Sequence, residues 1–322
     1  NRGFTYEGYT VELMNDIDLQ GIETNQWVPI GDKSLDDENL FNGNFNGNFN
    51  TISNIYINKP EKSNVGLFGA TGNHAEIKNL SVDGRIIGDT NVGGIVAIAS
   101  DGIIKNCINK ASVSGKNNVG GVVAYVSSLS TQNLIDGCAN LGKIECPSDI
   151  GNVGGICGLL RGTVMNSYNV GSVSSNLHNI GGIGGIGLTQ SVTISHCYNI
   201  GEIKGSSSSF NVGGILGVIQ YSATPSAVAK LEYCINAGSV YLGPKLPSSN
   251  IGGTSGIYPG YIIGALIDDD SSCSNSMSIK KETLKNYSNE ELSDILGSEF
   301  VKDENNINNG FPILKWQLEQ QN

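Results

Sequence analysis

The stretch IIKNCINKASVSGKNNVGG, Ile103 to Gly121, holds both halves of a pattern that recurs along the chain. Its end, NVGG at Asn118, returns as NVGGI at Asn91, Asn152 and Asn211, as NIGGI at Asn179 and as NIGGT at Asn250. A shorter relative, NVGLFG, begins at Asn64, and successive copies lie 27, 27, 34, 27, 32 and 39 residues apart. Its beginning, IKNCINKASV, is echoed by IDGCANLGKI, VMNSYNVGSV, ISHCYNIGEI and LEYCINAGSV. Upstream IKNLSVDGRI and ISNIYI fit the same template, and downstream SSCSNSMSI does too. Spacing this regular with internal variation is the mark of a repeat array.

Each unit contains three short β-rich pieces separated by Gly, Ser and Asn, without a helical period. A unit of 27 residues has room for three strands of about 5 residues and their turns. Such a unit has no core of its own, so stacking must supply one. The fold class predicted is all-β: a right-handed, single-stranded parallel β-helix. The hand follows from the strong preference of parallel crossovers, and the hexapeptide period of left-handed forms is missing. About eight coils at ~4.8 Å each are expected, in one domain. Residues 1–50 read as an N-terminal β cap, 51–280 as the repeats and 281–322 as a C-terminal cap. In the last, Ser288 and Glu291 form a capping box before a short helix, and GFPILKWQ is expected to close the final coil as a strand.

Composition agrees. Of 322 residues 44 are glycine, 39% are hydrophobic and 7% aromatic. That is too apolar for disorder and lacks the collagen period. The formal charge of −11 argues against nucleic acid or an anionic membrane as partner, since both select basic surfaces. The acidity is at the ends: residues 91–260 hold 6 carboxylates against 8 Lys and Arg. No apolar run approaches the ~20 residues of a spanning helix. The opening NRGFTYEGYTVELMNDIDL reads as mid-protein, so a monomeric module within a longer chain is expected.

Stacking turns equivalent positions into columns. One reads Ile55, Leu80, Cys107, Cys138, Ser167, Cys197, Cys234, Cys273. Exchange with Ile, Leu and Ser inside one molecule marks an inward, small or apolar site, where free cysteine acts as a small hydrophobe. Disulfides are disfavoured because the side chains run parallel. A metal site lacks CxxC or clustered His, and a nucleophile would want an exposed, positive niche. Two residues on lies Ile57, Val82, Asn109, Asn140, Asn169, Asn199, Asn236, Asn275. Its asparagines are expected to form a ladder, each amide donating to the next and satisfying buried turn groups. The spacing of three between the apolar residue and the cysteine breaks strand alternation, so a corner is predicted there.

Nothing else assembles a catalytic set. Lys105 and Asp136 are placed to pair across coils, and His196 has Asn166 and Tyr233 as column neighbours, with no orienting carboxylate. The acidic runs Asp32–Glu38 and Asp268, Asp269, Asp270 read as solvated loop charges, with calcium or a cap-edge site as the alternatives. No cofactor is expected.

The whole pattern resembles the GLUG-repeat family of bacterial secreted and surface proteins. MNDIDL, WVPIG, FNGNFNTISNI, NVGLFG, the NVGGI…NCxNxGxV blocks and NGFPILKW carry the resemblance over nearly all of the chain. It implies a right-handed β-helix displayed outside the cell, in adhesin-like proteins or beside IgA-cleaving metallopeptidase domains, with no catalytic residues to carry over. The expected function is a non-catalytic, adhesin-like binding or display stalk for a host or microbial protein or glycan. Recognition is expected in the insertions Tyr125–Asn133, Cys146–Asn152, Gly205–Phe210, Gln220–Lys230 and Leu242–Asn250, with Tyr125, Phe210, Tyr221 and Lys245 as candidate contacts. The alternatives are a carbohydrate-active enzyme, which needs two carboxylates within ~10 Å, and an accessory module of a secreted metalloprotease.

Overall fold

The computed structural model describes residues 4–32, 39–72, 74–127, 133–148, 151–176, 178–188, 192–206, 208–220, 230–241, 258–259, 263–266 and 272–320. It is an all-β parallel solenoid of about six turns. One wall is a sheet of 22 strands, including Ile103–Asn109 and Ser112–Ser114. Among the described residues the second wall has five strands, including Asn117–Gly120 and Phe210–Gly213, and the third has seven, from Phe68–Thr71 to Ile263–Leu266. The turn count is below the expected eight.

Register follows the repeat. Ile77, Ile104, Ile135, Val164, Ile194 and Leu231 pair in sequence, as do Ile86, Val113, Ile144, Val173, Ile203 and Val240. All are buried and belong to one core cluster running the length of the rod. Each such side chain contributes about 1.5–3 kcal/mol by burial.

Two corners have a common cause. The residue before the cysteine column is left-handed at every level from Asn79 to Asn275: Asn79, Asn106, Gly137, Asn166, His196, Tyr233 and Asn275 have φ between +47° and +63°. The predicted break in alternation is therefore a single αL residue, and Asn tolerates that conformation better than most. The asparagine opening the NVGG motif does the same at Asn64, Asn91, Asn118, Asn179 and Asn211.

The structure moves the ends of both columns. Cys273 pairs with Leu231, not Cys234, and Ser276 takes the cysteine position by accepting from the Cys234 N–H at 3.0 Å. Asn275 is consequently the αL corner residue, and Ser278 stands opposite Asn236. The segment SSCSNSMSI fits two registers three residues apart, and the backbone takes the one that puts asparagine at the corner. At the other end Ile52 aligns with Val82, Ile55 with Gly84 and Ile57 with Ile86, with a bulge between Ile52 and Ile55.

The paired glycines are explained by space. A Cβ on Gly94, Gly121, Gly155, Gly182 or Gly214 would collide with the side chain of Asn109, Asn140, Asn169, Asn199 or Asn236 respectively. The NVGG motif is thus the seat of the ladder on the opposite wall.

At the N-terminus, Thr10–Glu12 pairs with Asn44–Asn46, and Ile17–Asp18 with Ile52–Ser53. Trp27 Nε1 donates to Leu67 O at 3.0 Å, and Phe41, Phe45 and Phe68 cluster with ring centres 5.1 and 5.3 Å apart. At the C-terminus, helices α1 (Lys281–Asn286) and α2 (Asn289–Leu296) precede an antiparallel pair, Phe300–Val301 with Ile313–Leu314, and helix α3 (Lys315–Glu319). The Ser288–Glu291 capping box is formed. This segment does not simply close the final coil as expected. It lies along the flank of the rod, where Leu284, Leu292, Leu296, Phe300, Phe311 and Leu314 pack on Ile108, Ala139, Tyr168, Tyr198 and Ile235. Trp316 reaches Gly137 O at 3.1 Å and stacks on Phe49 at 5.6 Å. The reason is an outward column of apolar residues between the inward Cys and Asn columns, which needs a cover.

Candidate functional site

Cys107, Cys138, Cys146, Cys157, Cys197 and Cys234 are buried free thiols. The column thiols share one task. Cys107 Sγ donates to Lys105 O at 3.2 Å, Cys138 to Asp136 O at 3.4 Å, Cys197 to Ser195 O at 3.1 Å and Cys234 to Glu232 O at 3.3 Å. Ser167 Oγ does the same to Met165 O at 2.7 Å. The αL residue between turns that carbonyl inward, and an S–H or O–H two residues on satisfies it. Burial raises the thiol pKa of Cys138, Cys157 and Cys197 well above the usual range, so these sulfurs stay protonated and unreactive.

The asparagine ladder is continuous. Nδ2 of Asn109, Asn140, Asn169 and Asn199 donates to Oδ1 of the next at 2.8, 2.7, 2.7 and 2.8 Å. The second hydrogen goes to the carbonyl two residues on: Ala111, Gly142, Gly171 or Gly201. All of these asparagines, with Asn236, have 0% exposure. A second ladder was not foreseen from the sequence. Asn91, Asn118, Asn152, Asn179 and Asn211 each donate Nδ2 to the preceding asparagine Oδ1 at 2.9, 2.8, 2.7, 2.7 and 2.8 Å, beginning at Asn64. Its signal, the first letter of every NVGGI copy, was in plain view. The two ladders run with opposite polarity.

Of the other candidates, Lys105 and Asp136 do pair, at 3.4 Å. His196 stacks on Tyr233 with ring centres 5.0 Å apart. Burial lowers its imidazole pKa, and the charge of Glu232 opposes that shift. Tyr125 is not a loop residue: it lies in the wall strand Val123–Val126, half-buried, with the Arg161 guanidinium 5.9 Å from its ring centre. Phe210 is likewise strand backbone, paired with His178. Tyr221, Lys245, Asp268, Asp269 and Asp270 lie outside the described residues, as do 33–38 of the Asp32–Glu38 run and, within the insertions, 128–132, 149–150, 207, 221–229 and 242–250. Among the described residues no three His, Cys, Asp or Glu side chains are grouped to hold a metal, and no helix is long and apolar enough to cross a membrane.

The outward face of the 22-stranded wall carries what the repeat leaves variable. One column reads Asn58, Ile87, Ser114, Glu145, Ser174, Lys204, Tyr241. Its charges cancel locally: Lys143 meets Glu145 at 2.6 Å, Lys116 meets Asp89 at 2.7 Å, and Lys204 meets Glu202. A groove of about 280 Å³ opens here between Ser114, Glu145, Pro147, Ser174, Asn176 and Lys204. The Lys204 ammonium lies 5.9 Å from the ring centre of Tyr241. The arrangement presents hydroxyls, an amide, one ion-paired carboxylate and one ion-paired ammonium.

No family model matches the chain. A protein of Evansella cellulosilytica with the provisional name Gly-rich membrane protein is 34% identical over 89 residues, 27% of this chain and 10% of that protein. The match thus spans about a tenth of the relative's length. A crystal structure from Bacteroides ovatus, provisionally titled an immunoglobulin A1 protease, superposes with a TM-score of 0.50 at 16% identity, over 96% of this chain and 86% of that one. At that identity the likeness speaks for the fold alone, and the fold it supports is the β-solenoid described above.

Proposed function

We propose that this chain is a non-catalytic GLUG-type module of a larger secreted or cell-surface bacterial protein, and that it holds a neutral, hydroxyl-rich ligand along the outward face of its largest wall. One observation carries this: every residue type fixed by the repeat is spent on holding the rod together. The cysteines satisfy corner carbonyls, the asparagines satisfy turns and each other, and the glycines make room for them. Only the outward, non-repeated side chains remain for recognition. Glu145 is the single carboxylate lining the groove among the described residues, whereas glycoside hydrolysis works with two. Cancelling charges around it favour a neutral glycan over a polyanion.

The test is binding of the isolated module to immobilised neutral glycans and host matrix proteins, with melting measured alongside. The triple variant Glu145→Ala, Ser174→Ala, Lys204→Ala is expected to lose binding and keep its melting temperature. Depolymerisation of a polysaccharide by the module, abolished by Glu145→Gln, would establish the enzyme reading instead.

A further inference from the structure

A different surface stands out at the N-terminal end of the rod. Of nine exposed large hydrophobic side chains among the described residues, six lie here: Phe4, Tyr9, Met14, Ile17, Ile22 and Val28, exposed by 39–77%. Among the described residues the strands Thr10–Glu12 and Ile17–Asp18 each pair on one edge only. Tyr9 O accepts from Asn44 and Leu13 N donates to Asn46, both in the next rung. Alternation in a parallel ladder then turns the N–H and C=O of Thr10 and Glu12 away from the rod. Open edges of this kind recruit extended chains, and apolar side chains grouped around one mark a contact surface. A cleft of about 340 Å³ among Leu19, Gln26, Trp27, Val28 and Tyr56 opens in the same region.

Charge says what fits. From Phe4 to Asp32 the chain has Glu7, Glu12, Asp16, Asp18, Glu23 and Asp32 and no Lys or Arg. A second copy docking end to end at this face would bring carboxylate against carboxylate, which is destabilising across strands. We infer that the N-terminal edge docks an extended polypeptide segment of alternating apolar and basic residues, which adds a parallel strand to Thr10–Glu12 by main-chain pairing. Its basic side chains meet Glu7 and Glu12, and its apolar ones, on the alternate face, cover Tyr9 and Val11. Strand addition of this type takes affinity from the main chain and selectivity from alternate side chains.

Fluorescence anisotropy with a capped Lys-Val-Lys-Val-Lys-Val-Lys peptide tests this directly. Its Glu-for-Lys counterpart and a backbone N-methylated version are each expected to bind at least about tenfold more weakly. Thr10→Pro removes one outward N–H without changing charge, and should weaken binding by about tenfold or more. Because that variant is also a folding risk, Glu7→Lys with Glu12→Lys serves as an independent arm and should transfer preference to the glutamate peptide. Equal binding of the two peptides, an N-methylated peptide as good as the parent, or no binding of the lysine peptide would overturn the inference. So would sedimentation showing the wild-type rod dimerising and Thr10→Pro restoring the monomer, since a second copy would then be the occupant.

Discussion

Asn140 accepts from Asn109, donates to Asn169 and to Gly142 O, and has no exposed surface. Replacing it with Ala strands a donor above and acceptors below, so Asn140→Ala should cost on the order of 2–4 kcal/mol in denaturant unfolding. Gly121→Ala should be damaging for the complementary reason, since its Cβ would enter the space of the Asn140 amide. The cysteine column predicts the opposite outcome. Ser167 already performs the task of the thiol, so Cys107→Ser or Cys197→Ser should change stability by no more than about 1 kcal/mol. In the native protein Cys107, Cys138, Cys157, Cys197 and Cys234 should react with a thiol reagent only as fast as the chain unfolds. Labelling within minutes under native conditions would show that the column is not closed. Both columns were legible in the sequence because a repeat aligns a molecule with itself. Where the repeat frays, as at Cys273 and Asn275, serine-rich text fits two registers, and only the corner's demand for an αL residue decides.

The flanking C-terminal segment is held by buried polar contacts as well as packing. Tyr198 Oη donates to Pro312 O and accepts from Asn308 Nδ2 at 2.8 Å, while Gln317 Nε2 donates to Tyr168 Oη at 2.8 Å. Asp303 anchors the loop between by accepting from the N–H groups of Ile307, Asn308 and Gly310 at 2.8, 2.7 and 3.0 Å. Tyr198→Phe should therefore cost about 1–3 kcal/mol, and Leu296→Ala about 2–5 kcal/mol, read as early loss of the segment in limited proteolysis. A pH dependence belongs at the same place, because His196 lies against Gly297 at the end of α2. Burial depresses its pKa below the ordinary 6.5, so the neutral form is the folded one. The contribution is fully present above pH 6.5 and is lost as pH falls below it. Wild type should lose melting temperature between pH 7 and pH 5 more steeply than His196→Gln; parallel curves would refute the assignment. The capping box made α2 legible in the sequence. Its resting place was not read, although the signal was present: an apolar residue between two inward positions must face out, and Tyr168 and Tyr198 face out only because something covers them.

As a whole the molecule is close to one-dimensional: each coil contacts its neighbours, and long-range order comes from columns that run through all of them. The two asparagine ladders, the glycines that seat them and the corner column tie the walls together at every rung. Stability should consequently be highest in the middle coils and fall toward the ends, where pairing is one-sided. Function is expected on the outward wall and at the acidic N-terminal edge, since neither is used by the frame. Side-chain amide hydrogen exchange of the ladder asparagines, followed by NMR, tests the central claim most directly. If the repeat exists to build this frame, the Nδ2 protons of Asn109, Asn140, Asn169 and Asn199 will exchange together and as slowly as the surrounding strand amides. Exchange of those amides at the rate of solvent-exposed asparagine, in a protein whose strands remain protected, would contradict it.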